Sequence, residues 1–576
     1  MTKKLISYDD EAEGLGLPEV VEKGLNGAFS RVFGVADPTA NPAENTSMIQ
    51  AALDAAGAVG GGTVLLSAGK TYDVSGTLYL RSSLVTLDGN AATLRMTSDA
   101  TQDDVDLGVD TYLPRYTHAI LLVLGQIDNR ISGCSVKNIT IDGAANPAAS
   151  GRWANLVVAH ADRTNINQVI SLHSGELAGA GGGNSGLCLL IQSADDTVVT
   201  GGRFAHAGYD AVRVAGGALR TQFIAVRADT ATRGAVQITP GSRYTTFIGC
   251  SLDNSEGGLD TSHALFGHNS HDVDVIGGTL SATSGSAIRF FGDGDSERGE
   301  RTDGIRVRGA NIVHGGAAPA ISFGNSSDVW VSNVTIDATV KKTGTLSMVQ
   351  VKGGNNLKFK IQGTSSSVSS CYTLTDVRDF SIDADTTTAS AGNPHVIATR
   401  CSKGRISGEV SQVAGQSAAL YSCNDITITG LAPITSDGIY AIGNQTGIEV
   451  LDNDFRGVSN SNPLRAYATM SGRVRGNLGA LTEGNGTAVV GPDATAVTIT
   501  HGLWQGTNTT SADRIERFWL PHDFQVSFSG DPGEATTCWV SSVTPTQVTI
   551  SLDAPPGVDV PVSWSARMDR DTQPGV

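Results

Sequence analysis

From Gly201 onward a small residue returns about every two dozen positions: Gly201, Ala225, Gly249, Gly277, Gly309, Asn333, Gly363, Ala384, Gly408, Gly430, Asp452 and Gly476. The steps are 24, 24, 28, 32, 24, 30, 21, 24, 22, 22 and 24 residues. Two residues ahead of each lies an apolar side chain: Val199, Phe223, Phe247, Val275, Val307, Val331, Ile361, Ile382, Ile406, Ile428, Val450 and Val474. Only 40% of the chain is hydrophobic, so an unbroken apolar column is a constraint and not an accident of composition. A unit this short cannot bury its own apolar face and must stack on its neighbours. Within the units apolar and polar residues alternate, as in DVDVIGG, GIRVRGA, DITITGL and GIEVLDN. Alternation reads as strand, and no helix-length amphipathic stretch separates the strands. The expectation is a parallel β-helix with two or three short strands per coil and coils about 4.8 Å apart. From Thr63 to Leu478 there is room for roughly 17 coils, a rod on the order of 80 Å long.

Bulk properties remove several function classes. A net charge of −17 argues against nucleic acid, whose phosphates attract basic surfaces. No run of 18 apolar residues exists, so no membrane insertion is expected. The Gly60-Gly61-Gly62 run lacks the Lys-Ser/Thr of a phosphate loop and precedes a strand, which makes it a turn. Seven cysteines include no Cys-x-x-Cys. Cys401 and Cys423 each stand seven residues before a ladder glycine and are expected as stacked neighbours, in a column with Ser242, Ser270, Thr302, Ser326 and Asn356. No cofactor and no metal are called for.

A stacked rod needs its open ends covered. Asn45, Thr46 and Ser47 are expected to cap a helix whose inner face is Ile49, Ala52, Leu53 and Ala56, ending at Gly57. The stretch FGVADPTANPAENTSMIQAALDAAGAVGGGTVLLSAGKTYDVSGTLYLRSSLVTLDG resembles the opening of the pectate-lyase-like right-handed β-helix family of phage tailspikes. It departs from that pattern at Ala36-Asp37-Pro38 and at Ser67-Ala68-Gly69, where the family has Pro-Ala-Gly. After Gly479 the ladder stops, ALTEGNG reads as a linker, and AVTITHGLW, FQVSFSG, TCWVSSV, TQVTISLD and VPVSWSARM follow as alternating strands. This part is similar to small C-terminal domains of phage tail proteins, which implies trimer clamping or glycan contact, with Trp504, Trp519, Trp539 and Trp564 as packing or sugar-stacking residues.

The expected fold is thus all-β: a right-handed parallel β-helix, a single-stranded solenoid with an N-terminal capping helix, followed by a C-terminal antiparallel β-sandwich. The expected domains are a leader or virion-docking segment over 1–29, the cap over 30–62, the β-helix over 63–480 and the sandwich over 487–576. The resemblance implies a homotrimer in the virion tail, held to a tail or baseplate protein through the N-terminal segment. It further implies action at the host cell surface, on a host cell-wall or capsular glycan.

A regular rod offers a site where regularity breaks. The steps of 28 and 32 mark two oversized coils, with extra residues in DNSEGGLDTSHA and GDGDSERGER. Counting back from the ladder places Val214, Ile238 and Phe266 inward and Arg213, Gln237 and Leu265 outward, and Arg289 is expected to join that outward row. His263 is expected to point outward between Ala235 and Ala287. The catalytic candidates are Asp260, Glu256, His263 and Asp210; the substrate-binding candidates are Arg213, Gln237, Arg289, Asp293 and Asp295. Glycoside hydrolysis needs two carboxylates about 5 to 9.5 Å apart, which adjacent coils can supply. A lyase instead needs a base such as His263, with Arg213 or Arg289 neutralising a uronate. GLDTSHALFGH resembles the Asp-then-His stretch of several β-helix polysaccharide enzymes, and the resemblance points to Asp260 and His263. Two readings stay open, a polysaccharide depolymerase (hydrolase ahead of lyase) and a non-catalytic adhesin with the β-helix as shaft. A second region, with Tyr112, Tyr116, Trp153 and His173, offers an alternative sugar groove or a subunit contact.

Overall fold

The ladder residues turn corners. In a computed structural model of the chain, Gly201, Ala225, Gly249, Gly277 and Gly309 have φ of 62°, 52°, 59°, 64° and 65°, the left-handed region that favours glycine. The first four donate their backbone N–H to the carbonyls of Ile224, Ile248, Ile276 and Arg308, one coil further on. The apolar residue two positions earlier is the last inward side chain before the corner, so turn and core residue recur together. The model describes residues 20–25, 28–97, 118–143, 153–175, 186–256, 262–292, 301–324, 331–366, 369–391, 393–434, 437–443, 445–457, 464–466, 470–478, 483–503, 521–544 and 546–570. Two compact units divide the chain, Met1–Gly344 and Thr345–Val576.

In the first unit a coil consists of three strands. One coil runs through Asp210–Ala215, Gln222–Ile224 and Arg227–Ala231, and the next through Gly234–Ile238, Arg243–Ile248 and Ser251–Asn254. Each strand pairs in parallel with its counterpart in the following coil. This is the expected parallel β-helix. Its core is a set of stacked files; Phe223 and Phe247 lie ring on ring at 5.0 Å, and each such burial contributes about 1.5–3 kcal/mol.

The ladder needs two corrections. Val307 pairs with Ile336 and not with Val331, making that coil 29 residues long, a third oversized one. Val331-Ser332-Asn333 imitates the motif because Asn333 is also left-handed (φ 53°). It sits at the preceding corner, in line with Asp272 and Gly304. In the second unit Ile382 pairs with Phe359, not Ile361.

The cap helix α1 spans Pro42–Ala58 and buries Ile49, Ala52, Leu53 and Ala56 as expected. Its N-cap, however, is Asn41, whose side chain accepts from Ala43 N at 3.0 Å. Proline at the next position forces this boundary, since the residue before a proline avoids helical geometry. Asn45 is instead buried, accepting from Thr39 N and donating to the Thr39 and Asp73 carbonyls. Part of the acidic leader is also strand: Val20–Leu25 pairs antiparallel with Ala28–Gly34.

The second unit has an inward file of its own, Ile382, Ile406, Ile428, Val450 and Val474. Cys401 and Cys423 are buried neighbours there, as expected from their spacing. The stretch read as a linker is already strand from Glu483. Two three-stranded antiparallel sheets follow. One places Val560–Arg570 between Glu483–Val490 and Phe524–Phe528. The other places Gln547–Leu552 between Ala496–Thr500 and Cys538–Val543. Their buried side chains include Phe524, Val548, Ile550, Val562 and Trp564. Trp564 is therefore a packing residue, whereas Trp539 is exposed, and Trp504 and Trp519 lie outside the described residues. The last strand also pairs with the last coil, Gly472 with Arg570 and Val474 with Met568, and so covers its open edge.

Candidate functional site

One strand file of the first unit carries the candidate residues. Its strands are β1 (Leu78–Leu80), β2 (His118–Leu124), β3 (Trp153–Ala159), β4 (Leu187–Gln192), β5 (Asp210–Ala215), β6 (Gly234–Ile238), β7 (His263–His268), β8 (Ile288–Phe291) and β9 (Ile321–Phe323). In-register pairing aligns Tyr79, Leu122, Val157, Leu190, Arg213, Gln237, Phe266, Arg289 and Ser322 in a single outward row. The row changes character abruptly. Over β2 to β4 the outward side is apolar, a cluster of Ala119, Leu122, Ala154, Val157, Leu187 and Leu190. From β5 onward it is charged, and much of it is still buried: Asp210, Arg213, Gln237, His263 and Phe266 are at most 6% exposed.

Asp210 and Arg213, three residues apart on β5, form an ion pair that is wholly buried; Arg213 Nε donates to Asp210 Oδ2 at 3.0 Å. Burial pushes the Asp210 carboxyl above its ordinary range, and Arg213 and Arg233 pull it partly back. The other carboxylate oxygen, Oδ1, has no hydrogen-bond partner, nor has Gln237 Oε1. Tyr209 is the hub for the cations. Arg213 and Arg233 lie 5.0 and 4.9 Å from its ring centre, and Arg233 donates to its hydroxyl. Arg233 also covers the Phe266 ring at 4.8 Å.

His263 departs from expectation. It stands beside Gly234, not between alanines, and is buried against Phe266, the rings stacked at 5.2 Å. Its Nδ1 accepts from Ser286 N at 2.8 Å, and Arg289 Nη1 is 3.4 Å from Nε2. Burial, reinforced by Arg289, lowers its pKa to about 3. A neutral ring with Nδ1 already occupied and its proton on Nε2 is a donor, and it is not the base that elimination requires.

The expected register also slips by one residue on β7. Phe266, not Leu265, joins the outward row, and Leu265 faces inward against Val236 and Ile288. The cause is turn length. Four residues including Pro240-Gly241 separate Ile238 from the next strand, and three separate its counterpart Gly267 from His271. One residue reverses every side chain upstream of the turn. Gly267 accepts the inward position because Phe290 fills the space above it; a Cβ there would lie 2.0 Å from that ring.

Glu256 is not part of this cluster. It is exposed after Ser251–Asn254, where its carboxylate accepts from Thr230 Oγ1 at 3.4 Å. Asp260, Asp293 and Asp295 lie outside the described residues, as do Tyr112 and Tyr116. Trp153 is buried and bonds Asn155 Oδ1 at 2.7 Å, so it lines no groove; His173 is more open, paired with Asp142. Tyr209, Arg233 and Phe266 were not singled out from the sequence. The repeat itself holds a signal for two of them: Tyr209-Asp210 and Arg233-Gly234 stand 24 residues apart, one ladder step.

No family model and no curated protein matches the chain. Among solved structures it is similar to the A-module of the Azotobacter vinelandii mannuronan C-5 epimerase AlgE6, at 16% identity over 77% of this chain and 96% of that one, TM-score 0.35. It is similar to the tailspike protein of E. coli bacteriophage HK620 in complex with pentasaccharide, at 11% identity over 92% and 91%, TM-score 0.42. It is also similar to the Acinetobacter phage vb_AbaP_AS12 gp42 tailspike, at 13% identity over 74% and 63%, TM-score 0.36. The fold assignment rests on the ladders of hydrogen-bonded strands within the chain itself. By those ladders the chain is a parallel β-helix protein with C-terminal antiparallel sheets.

Proposed function

We propose that this chain is a phage tail protein that recognises a host cell-surface polysaccharide along the outward face of β1 to β9. The observation that supports this reading best is the set of buried polar atoms without partners on that face, Gln192 Oε1, Asp210 Oδ1 and Gln237 Oε1. Each such atom costs about 1–3 kcal/mol if left unsatisfied. Sugar hydroxyls, which both donate and accept, are suitable partners, and the half-buried rings of Tyr209 and Phe291 offer apolar surfaces beside them. The resemblance of the N-terminal and C-terminal segments to phage tail proteins supports the same reading. Under it the protein is a homotrimer in the virion tail, attached through its N-terminal segment, with the terminal sheets clamping the trimer or touching glycan. The test is binding of the purified full chain to an array of bacterial surface polysaccharides and to cells. Binding that Gln237→Ala weakens by about tenfold agrees with the proposal; no binding to any polysaccharide or cell overturns it.

Cleavage of the bound polysaccharide is the second reading, favoured by one observation: Asp210 Oδ1 has no hydrogen-bond partner, and burial raises this carboxyl, the direction a general acid needs. The second carboxylate of a hydrolase is then to be sought among Asp260, Asp293 and Asp295. New reducing ends that Asp260→Asn abolishes agree with this reading. A polysaccharide that is bound and left intact refutes it.

A further inference from the structure

Resting on the glycan-binding reading, we infer that the polysaccharide is acidic, and that Arg289, His263 and Arg233 form a preorganised subsite for one of its anionic groups. Arg213 and Arg233 act on the Asp210 carboxylate, whereas Arg233 and Arg289 act on one another and on His263. Asp210 is committed to Arg213. Arg233 contacts the Tyr209 hydroxyl and two aromatic faces, and Arg289 lies 5.4 Å from the Phe291 ring centre. Arg233 and Arg289 thus make no ion pair with a carboxylate among the described residues, in a chain whose net charge is −17.

Hydrogen bonding gives the sharper reason. The Ser286 N–H donates to His263 Nδ1, so the imidazole carries its proton on Nε2. That N–H faces Arg289 Nη1, another donor, at 3.4 Å. Arg289 Nε–H is buried and has no acceptor. Donors therefore converge here with no acceptor between them, at the side of a histidine that is 2% exposed. An acceptor-only group, a carboxylate or phosphoryl oxygen, satisfies them together and neutralises the charge. Placed there, it converts a donor–donor repulsion into charge-assisted hydrogen bonds. The role differs from the one spacing suggested: Arg213 is consumed by Asp210, and Arg233 takes its place.

Hexamers of galacturonic, glucuronic and mannuronic acid, their carboxyl-reduced forms, a polyglycerol phosphate and neutral glucans are titrated against the full chain by calorimetry. The expected result is binding of at least one acidic probe, weakened by salt, lost on carboxyl reduction and reduced about tenfold or more by Arg289→Gln. His263→Gln, which keeps an N–H at this position, should retain more affinity than His263→Phe, with circular dichroism showing both folded. Preference for the polyglycerol phosphate, again lost in Arg289→Gln, assigns the subsite to phosphoryl groups. Equal binding of acidic and reduced probes, or acidic binding indifferent to Arg289→Gln, overturns the inference and leaves glycan recognition standing. Binding of neutral glucans alone overturns it as well; binding of no glycan refutes the parent reading.

Discussion

Lys342 offers the clearest test of the energetics of this fold. It is 1% exposed, closes an inward file with Ala282 and His314, and donates its ammonium to the Gly316 carbonyl. Among the described residues no carboxylate pairs with it, and burial lowers its pKa from 10.5 to about 8. The unfolded chain therefore holds that proton more tightly than the folded one. At neutral pH the difference between 10.5 and about 8 corresponds to roughly 3 kcal/mol of destabilisation. Lys342→Met keeps a stem of similar shape and removes the charge, at the cost of one lost hydrogen bond to a carbonyl, about 1 kcal/mol. The variant should thus be more stable at pH 7, by about 2 kcal/mol. The sign of the pH dependence follows. Between the folded and unfolded pKa values the unfolded state binds more protons, so the wild-type protein gains stability as pH rises from 8 towards 10.5. The advantage of Lys342→Met must shrink over that window and vanish above it. Denaturant midpoints followed by tryptophan fluorescence at a series of pH values measure the difference. A variant less stable at pH 7, or a difference that ignores pH, refutes the reasoning.

Three further outcomes follow from the same geometry. His263 and His314 are held neutral, with pKa values near 3 and 4 against 6.5 when unfolded, so their stabilisation is complete above pH 6.5 and is lost as pH falls through the folded values. By pH 4.5 each should cost about 2–3 kcal/mol, and His314→Gln should flatten the acid limb of a stability–pH curve by that amount. Asp210→Asn removes the charge that a buried guanidinium is paired with and should cost about 3–5 kcal/mol, most of it recovered in Asp210→Leu/Arg213→Met; thermal melts in which the single change is no worse than the double refute this account. Ala225 adopts the left-handed corner that glycine occupies in neighbouring coils, so Ala225→Gly should be neutral or stabilising by up to about 1 kcal/mol, as read by melting temperature.

Much of the fold was legible because it is local physics repeated. A left-handed corner residue preceded by an inward apolar side chain is a short pattern, and stacking makes each copy pair with the next. The same locality explains where reading failed. Asn333 obeys the corner rule at the wrong corner, and only the pairing of Val307 with Ile336 tells the two apart. At the cap, Asn41 outcompetes Asn45 because Pro42 sets the boundary, and Asn45 is taken up by hydrogen bonds to Thr39 and Asp73. The candidate site was legible to the level of the strand. Arg213, Gln237 and Arg289 do share one outward row; the first two are reached by counting within regular coils, whereas Arg289 stands in an oversized one.

What the amino-acid order determined by itself is the solenoid, its repeat length, its capping helix and the change to antiparallel strands after the last coil. These follow from spacing, alternation and turn residues, all set within a few positions along the chain. Only tertiary structure decided which arginine is free. A turn shorter by one residue put Phe266 in the row in place of Leu265. Asp210, three residues from Arg213, took that cation for itself, and burial with a backbone donor made His263 a neutral N–H donor. Charge pairing and protonation depend on distances between coils and on exclusion of water, which no one-dimensional spacing encodes.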